Sequence, residues 1–228
     1  MSNWCTVNYE IEMSTKFKLS LITIFLSAPL SCSAAATFIE FDTPYIFAEI
    51  ADGKINGYYG LSLPEAGGRP SVSCEFFITS DSLDLPKHNT VKIRTFYTEG
   101  SFDKRDGEDV LPGELVVQGD KWTLQMDQVP DGCLSAAGGG FLKGSAVPNI
   151  VRKRTPIIGI FVINKKIAFF DLKGNVFVER KGFLVPGDAV IAYLQKNNFY
   201  FVRYLNTETS AVTEGWVPTQ SISDPFPR

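Results

Sequence analysis

Few residues of this chain have types and spacing that could do covalent chemistry. His88 is its one histidine, and Cys74 lies fourteen positions before it. A Cys–His nucleophile needs a thiolate beside the imidazole and a third group to orient the ring. His88 instead sits in the polar run Pro86-Lys87-His88-Asn89, which reads as a solvated loop, and Cys133 competes for Cys74. A zinc site would have to be built mainly from carboxylates, which is uncommon. A wall hydrolase needs only two acids about 5 to 10 Å apart. Asp81 and Asp84 flank a turn, while Asp103, Asp106, Glu108 and Asp109 crowd one segment with Lys104, Arg105 and Gly107. Catalytic acids are normally raised in pKa by apolar burial, so this company reads as a solvated charged turn. The segment also lacks the alternating Asp/Asn ligands of a calcium loop. In Gly138-Gly139-Gly140-Phe141-Leu142-Lys143-Gly144-Ser145 the lysine precedes the last glycine and no helix is signalled afterwards, so a hairpin or connector is expected in place of a phosphate loop. No catalytic residue, metal ligand or cofactor is expected.

The aromatic side chains are more informative. Tyr193, Phe199, Tyr200, Phe201, Tyr204 and Trp216 fall close together. Strand alternation sends Phe199 and Phe201 to one face and Tyr200 and Tyr204 to the other. One face must fill a core, which frees the other to offer rings to a ligand. Tyrosine and tryptophan suit recognition because an apolar body carries a polar tip. Tyr200 and Tyr204 are therefore the leading binding candidates, with Tyr193 and Trp216 beside them, although Trp216 also suits a core position.

Those rings must be held by β-structure. Helical periodicity is scarce, and short runs rich in Phe, Val, Ile, Tyr and Thr recur between Gly, Pro, Asn and Asp clusters. Strands are expected at residues 38–41, 46–51, 57–63, 71–78, 90–97, 113–118, 121–126 and 141–143. After Pro148 they follow at 157–163, 166–171, 176–179, 189–194, 199–205 and 215–217. Asp52-Gly53 and Gly119-Asp120 suit tight hairpins, where positive φ is required. Alternation puts Val72, Cys74 and Phe76 on one face, and Cys133 follows the turn signal Pro130-Asp131-Gly132.

At the amino terminus, Lys16 and Lys18 precede the apolar stretch Leu19 to Leu30 and the small residues Ala34-Ala35-Ala36. This is the plan of a secretory signal peptide spanning residues 1–36, cleaved after Ala36. Residues 1–12 then look like an upstream start, with Met13 the true one; a genuine amino-terminal extension is the alternative. A membrane anchor needs roughly 18 or more apolar residues, and this stretch is shorter. Acylation at Cys32 is disfavoured by Pro29 before it. Cys5 and Cys32 leave with the leader, so Cys74 and Cys133 remain to pair in an oxidising compartment, a bridge worth roughly 3 to 4 kcal/mol. The destination is the periplasm or the exterior, with no transmembrane segment in the mature chain.

Charge divides the remainder. Residues 37–148 carry 9 Lys and Arg against 17 Asp and Glu, whereas residues 149–228 carry 11 against 6. The asymmetry suggests an acidic β domain over 37–148 and a second module over 156–228, with Arg152-Lys153-Arg154 in the linker. The overall formal charge of −3 gives no reason to expect nucleic acid.

Three ordered tracts in the second module carry a resemblance. Phe183-Leu184-Val185-Pro186-Gly187-Asp188-Ala189-Val190, then Asn198 to Tyr204, then Glu214-Gly215-Trp216-Val217, resemble a bacterial SH3-like domain. A departure is the long insertion Asn206 to Thr213 between the last two strands. The amino-terminal part resembles exported bacterial β domains of unassigned role. The expected fold class is all-β: an amino-terminal β-sandwich or barrel-like domain followed by a small SH3-like barrel. The resemblance implies an envelope protein that binds a protein, a peptide or a peptidoglycan fragment and performs no chemistry. The other expectations are a periplasmic immunity protein blocking a secreted toxin, and a cell-wall hydrolase whose barrel is a targeting module.

Overall fold

In the computed structural model, which describes residues 36–82, 89–97 and 110–226, period-two alternation of apolar side chains builds two antiparallel sheets. The first is a closed barrel of eight strands: β1 Ala36–Phe41, β2 Ile46–Ala51, β3 Lys54–Leu63, β4 Val72–Ser80, β5 Thr90–Phe96, β6 Val110–Gln118, β7 Lys121–Met126 and β8 Pro148–Ile157. Each strand pairs with the next, and β8 returns to β1, so no edge is left open. The β2–β3 hairpin turns on Asp52 and Gly53 with φ of 49° and 71°, the left-handed conformation expected of that pair.

Inward-pointing residues fill the barrel, among them Ile39, Phe76, Ile78, Ile93, Leu124 and Met126. A short helix, α1 (Cys133–Ala137), plugs one end, and Phe141 follows it to meet Tyr59 and Phe76 edge-on at 4.7 and 5.7 Å. Cys74 and Cys133 form the expected disulfide, which ties α1 to β4 across 59 residues of chain. Gly132 makes this possible: its φ is 77°, and a Cβ there would stand 2.1 Å from the Ser73 carbonyl oxygen. No other residue type lets the chain pass so close to β4.

The second sheet has seven strands: β9 Gly159–Ile163, β10 Ile167–Lys173, β11 Val176–Leu184, β12 Ala189–Lys196, β13 Phe199–Leu205, β14 Val212–Pro218 and β15 Ile222–Ser223, the last entered through a 3-10 turn at Thr219–Ser221. Their order is β11-β10-β14-β13-β12-β9-β15, a curled half-barrel. Its concave side encloses Ile163, Phe169, Leu184, Val190, Val202 and Val217.

A third apolar cluster joins the two sheets. On the barrel's outer wall Phe38, Phe47, Tyr58, Phe77 and Phe96 meet Ile160, Val162, Ala189 and Ile191 of the second sheet. The chain's tail completes it, since Phe226 stands edge-on to Phe77 at 5.6 Å and to Phe96 at 6.3 Å. The insertion after β13 is also a joint. Thr207 Oγ1 donates to Glu75 Oε1 at 3.0 Å and lies 2.9 Å from Ser62 Oγ, while the Ser62 N–H donates to the Thr207 carbonyl at 3.0 Å.

Two local expectations differ from what forms. Arg152-Lys153-Arg154, read as a linker, lies inside β8, where the strand's outward charges accompany the ladder that closes the barrel. Residues 141–143 make no strand; Leu142 forms one isolated bridge with Met126 beneath the plug.

Candidate binding face

The strands of the second sheet line up their outward side chains in rows. Residues paired across an antiparallel ladder share a face. Leu194 pairs with Phe201, Phe201 with Trp216, and Trp216 with Phe170, so these four cross β12, β13, β14 and β10 as one row. Phe201 and Trp216 have ring centroids 5.4 Å apart. Phe177 on β11 lies 5.4 Å from Trp216 and stacks on Phe199 at 3.9 Å, and Phe199 meets Phe170 edge-on at 5.3 Å. All five rings are half-buried, and Leu194 is 59% exposed. At the end of the face next to Phe199, Lys196 Nζ donates to Asn175 Oδ1 at 3.3 Å, which joins the β12–β13 turn to the β10–β11 turn.

The same side of β13 continues under the barrel. Arg203, Leu205 and the facing Ile191 and Val212 form one wall of a cleft of about 280 Å³, and Phe38, Glu40, Asp42, Ile46 and Phe47 form the other. Arg203 Nε donates to Glu214 Oε1 at 3.0 Å, its Nη1 lies 4.0 Å from Glu40 Oε2, and its guanidinium sits 5.6 Å from the Tyr193 ring centroid. Cleft and aromatic rows are thus one continuous outer surface along β13, covered at one end and open at the other.

The four aromatic residues singled out from the sequence divide between this surface and the interior. Trp216 is on the open face. Tyr193 packs edge-on to Phe38 at 6.4 Å, which places it in the joint between the sheets. Tyr200 and Tyr204 take the opposite face from the one expected for ligand contact. Tyr200 stacks on Phe161 at 5.6 Å, and both tyrosines rest against the concave core beside Val202. Phe199 and Phe201, expected to fill the core, point outward instead. Phe169 shares the concave side with the two tyrosines and occupies the space above Gly215. A Cβ on Gly215 would come within 2.9 Å of the Phe169 ring and of the Arg180 guanidinium. The glycine before Trp216 therefore serves a neighbouring phenylalanine, leaving the indole on the outside.

Comparison with family models, curated proteins and solved structures gave no match.

Electrostatics between the second sheet and the barrel wall run through two tyrosine–carboxylate pairs. Asp188 Oδ2 accepts the Val185 N–H at 2.7 Å and so closes the Val185-Pro186-Gly187 turn, where Gly187 has φ 97°. Burial raises the pKa of Asp188, and burial with the neighbouring Asp188 carboxylate raises that of Tyr204, whose hydroxyl donates to it. Burial likewise raises Tyr58, whose hydroxyl donates to Glu75. These phenols stay protonated at neutral pH and serve as donors.

Among the described residues no group of three or more His, Cys, Asp and Glu side chains is placed to hold a metal ion. Asp81, one of the acids weighed for hydrolysis, pairs with Arg94. His88, Asp84, Asp103, Asp106, Glu108 and Asp109 lie outside the described residues. What the described surface offers is apolar contact and stacking, concentrated on Phe199 and Phe201, which were expected in the core, on Trp216, a binding candidate, and on Phe170, Phe177 and Leu194, to which the sequence reading gave no role. One signal for them was present: Phe170 and Phe177 flank the turn Lys173-Gly174-Asn175, and a hairpin tip seldom buries both its faces.

Proposed function

We propose that this chain is an exported, non-enzymatic binding protein whose carboxyl-terminal sheet is an SH3-like barrel that presents an aromatic face to an extended peptide, a cell-wall fragment or a protein partner. The observation that carries it is the row Leu194–Phe201–Trp216–Phe170. Soluble proteins rarely leave so continuous an apolar surface open without a use for it, and aromatic rings are the side chains most enriched where partners dock. The SH3-like reading is supported by the strand order, in which a long β10–β11 hairpin intervenes between β9 and β12, and a 3-10 turn sends β15 back to β9. Export is supported by the Cys74–Cys133 bridge, which fits an oxidising compartment, together with the leader-like first 36 residues. Among the described residues no helix is long and apolar enough to cross a membrane.

The test is co-sedimentation with purified peptidoglycan and capture of partners from envelope extract, comparing the wild-type protein with a Phe201→Ser/Trp216→Ala variant of unchanged fold. Binding by the wild type and its loss in the variant are expected. A wild type that binds neither, or a variant that binds equally well, overturns the reading.

A further inference from the structure

A carboxyl side chain lies in the joint between the two sheets, and among the described residues no cation forms a salt bridge with it. Glu49, on the outer side of β2, is 4% exposed. Its Oε2 accepts the N–H of Ile160 at 2.8 Å, a hydrogen bond from the first turnless residues of β9 across to the barrel. Its Oε1 accepts from Asn56 Nδ2 on β3 at 3.1 Å, and Asn56 Oδ1 accepts from Thr79 Oγ1 on β4 at 2.9 Å. The charged groups acting on it are Asp52, from the β2–β3 turn, and Asp224, from the chain's tail, and both are acids. The elements packed against it otherwise contribute the neutral Asn56, Thr79 and the β9 backbone.

We propose that the joint is a proton-operated latch, in which protonated Glu49 holds the two sheets together and ionised Glu49 loosens them. The relay through Asn56 has two arrangements, because a side-chain amide can be turned over. With Glu49 ionised, the amide nitrogen donates to the carboxylate, as described above. With Glu49 protonated, the turned amide accepts the new O–H at Oδ1 and donates from Nδ2 to the Thr79 hydroxyl. In both arrangements the Glu49 carboxyl keeps a partner in Asn56 and in the Ile160 N–H, so protonation changes the charge of the joint while the carboxyl stays hydrogen-bonded. The difference between them is the cost of a buried anion next to two like charges.

Burial pushes the Glu49 carboxyl up from the ordinary value of 4.5 to about 7. Because the folded-state value is the higher one, the folded protein binds the proton more tightly than the unfolded chain. The stabilisation is complete below the ordinary carboxylate range and is lost as pH rises through about 7. Loosening acts on the cluster that includes Ile160, Ile191, Phe77 and Phe226, leaving the barrel's disulfide-tied interior in place.

Hydrogen exchange on the full chain, expressed as protection factors so that intrinsic chemistry cancels, tests the latch between pH 5 and pH 8. Protection of the Ile160 and Ile191 amides is expected to fall on the order of tenfold to a hundredfold, while Ile78 and Leu124 inside the barrel hold theirs. In Glu49→Gln, the isostere of the protonated form, the junction amides are expected to keep their protection at pH 8. Equal pH profiles in the two proteins, or a loss shared evenly by barrel and junction, overturns the proposal. Should the variant not fold, carbon-13 titration of the Glu49 carboxyl in the wild type decides: a midpoint near 7 sustains the latch, and one in the ordinary carboxylate range ends it.

Discussion

The barrel and the half-barrel are built from the same kind of strand but dispose of their rings in opposite ways. In the barrel both faces of the wall are used: Tyr59 and Phe76 point in beneath the α1 plug, and Phe47, Tyr58 and Phe77 point out into the joint with the second sheet. In the half-barrel the concave side buries Phe169 with aliphatic residues and takes the half-buried Phe161, Tyr200 and Tyr204 against them, while five other rings stand half-exposed on the convex side. A closed barrel braced by a disulfide and capped by a second sheet has the fixed geometry of a support. A curled sheet whose convex side is aromatic and only partly covered has the geometry of something presented. The difference teaches that aromatic content alone does not mark a core, since in each sheet rings stand on both faces and what decides is which face another layer covers.

Breaking the support should have the largest effect. Reducing the protein, or replacing Cys74 and Cys133 together with serine, frees a loop of 59 residues and removes the tie between α1 and β4. In the chain-entropy model the expected loss is about 4 kcal/mol, a large share of the roughly 5 to 15 kcal/mol that holds an ordinary domain folded. Urea unfolding of the oxidised and reduced protein measures it. An unchanged midpoint would mean that the α1 plug, and not the bridge, closes the barrel. Next comes the joint. Phe226→Ala removes a buried ring from between Phe77 and Phe96, at an expected cost of about 3 kcal/mol by thermal melting, near the low end for a core phenylalanine because the tail can relax. A loss under 1 kcal/mol would show that the two sheets are held by the rest of the apolar cluster and by the Glu49 and Thr207 contacts without help from the tail.

The elements that were legible in the sequence are those governed by alternation and turn chemistry. Ile46–Ala51, Lys121–Met126 and Phe199–Leu205 form over the residues expected, and Cys74 points inward beside Phe76 as its alternation requires. What escaped is what depends on distant partners. Arg152, Lys153 and Arg154 look like a solvated linker because their charges face outward, yet the backbone between β1 and β7 needs a strand there to close the barrel. Cys133–Ala137 is too short for a helical period to show. The insertion Asn206 to Thr213 shows in sequence only as a departure from the SH3-like pattern, but its Thr207 is held by Ser62 and Glu75 from a hairpin 145 and 132 residues earlier. The face of β13 escaped for a similar reason: alternation separates Tyr200 and Tyr204 from Phe199 and Phe201, and only the contacts of the tyrosines with Phe161 and the concave cluster tell which pair goes in.

That last point yields the smallest and sharpest test, made on two neighbouring residues of one strand. Val202 is fully buried against Val190 and Val217, whereas Phe201 is half-exposed and touches the Trp216 ring from outside. By side-chain size Phe201→Ala should cost more. By placement the order reverses. Val202→Ala empties space inside a closed cluster and should cost about 2 kcal/mol, and Phe201→Ala gives up one aromatic pair and some surface contact, about 1 kcal/mol or less. Chemical denaturation of the two variants at one pH compares them directly. If Phe201→Ala is the more damaging, the convex rings belong to the core of this sheet, and a face that the fold cannot spare is not one it offers to a partner.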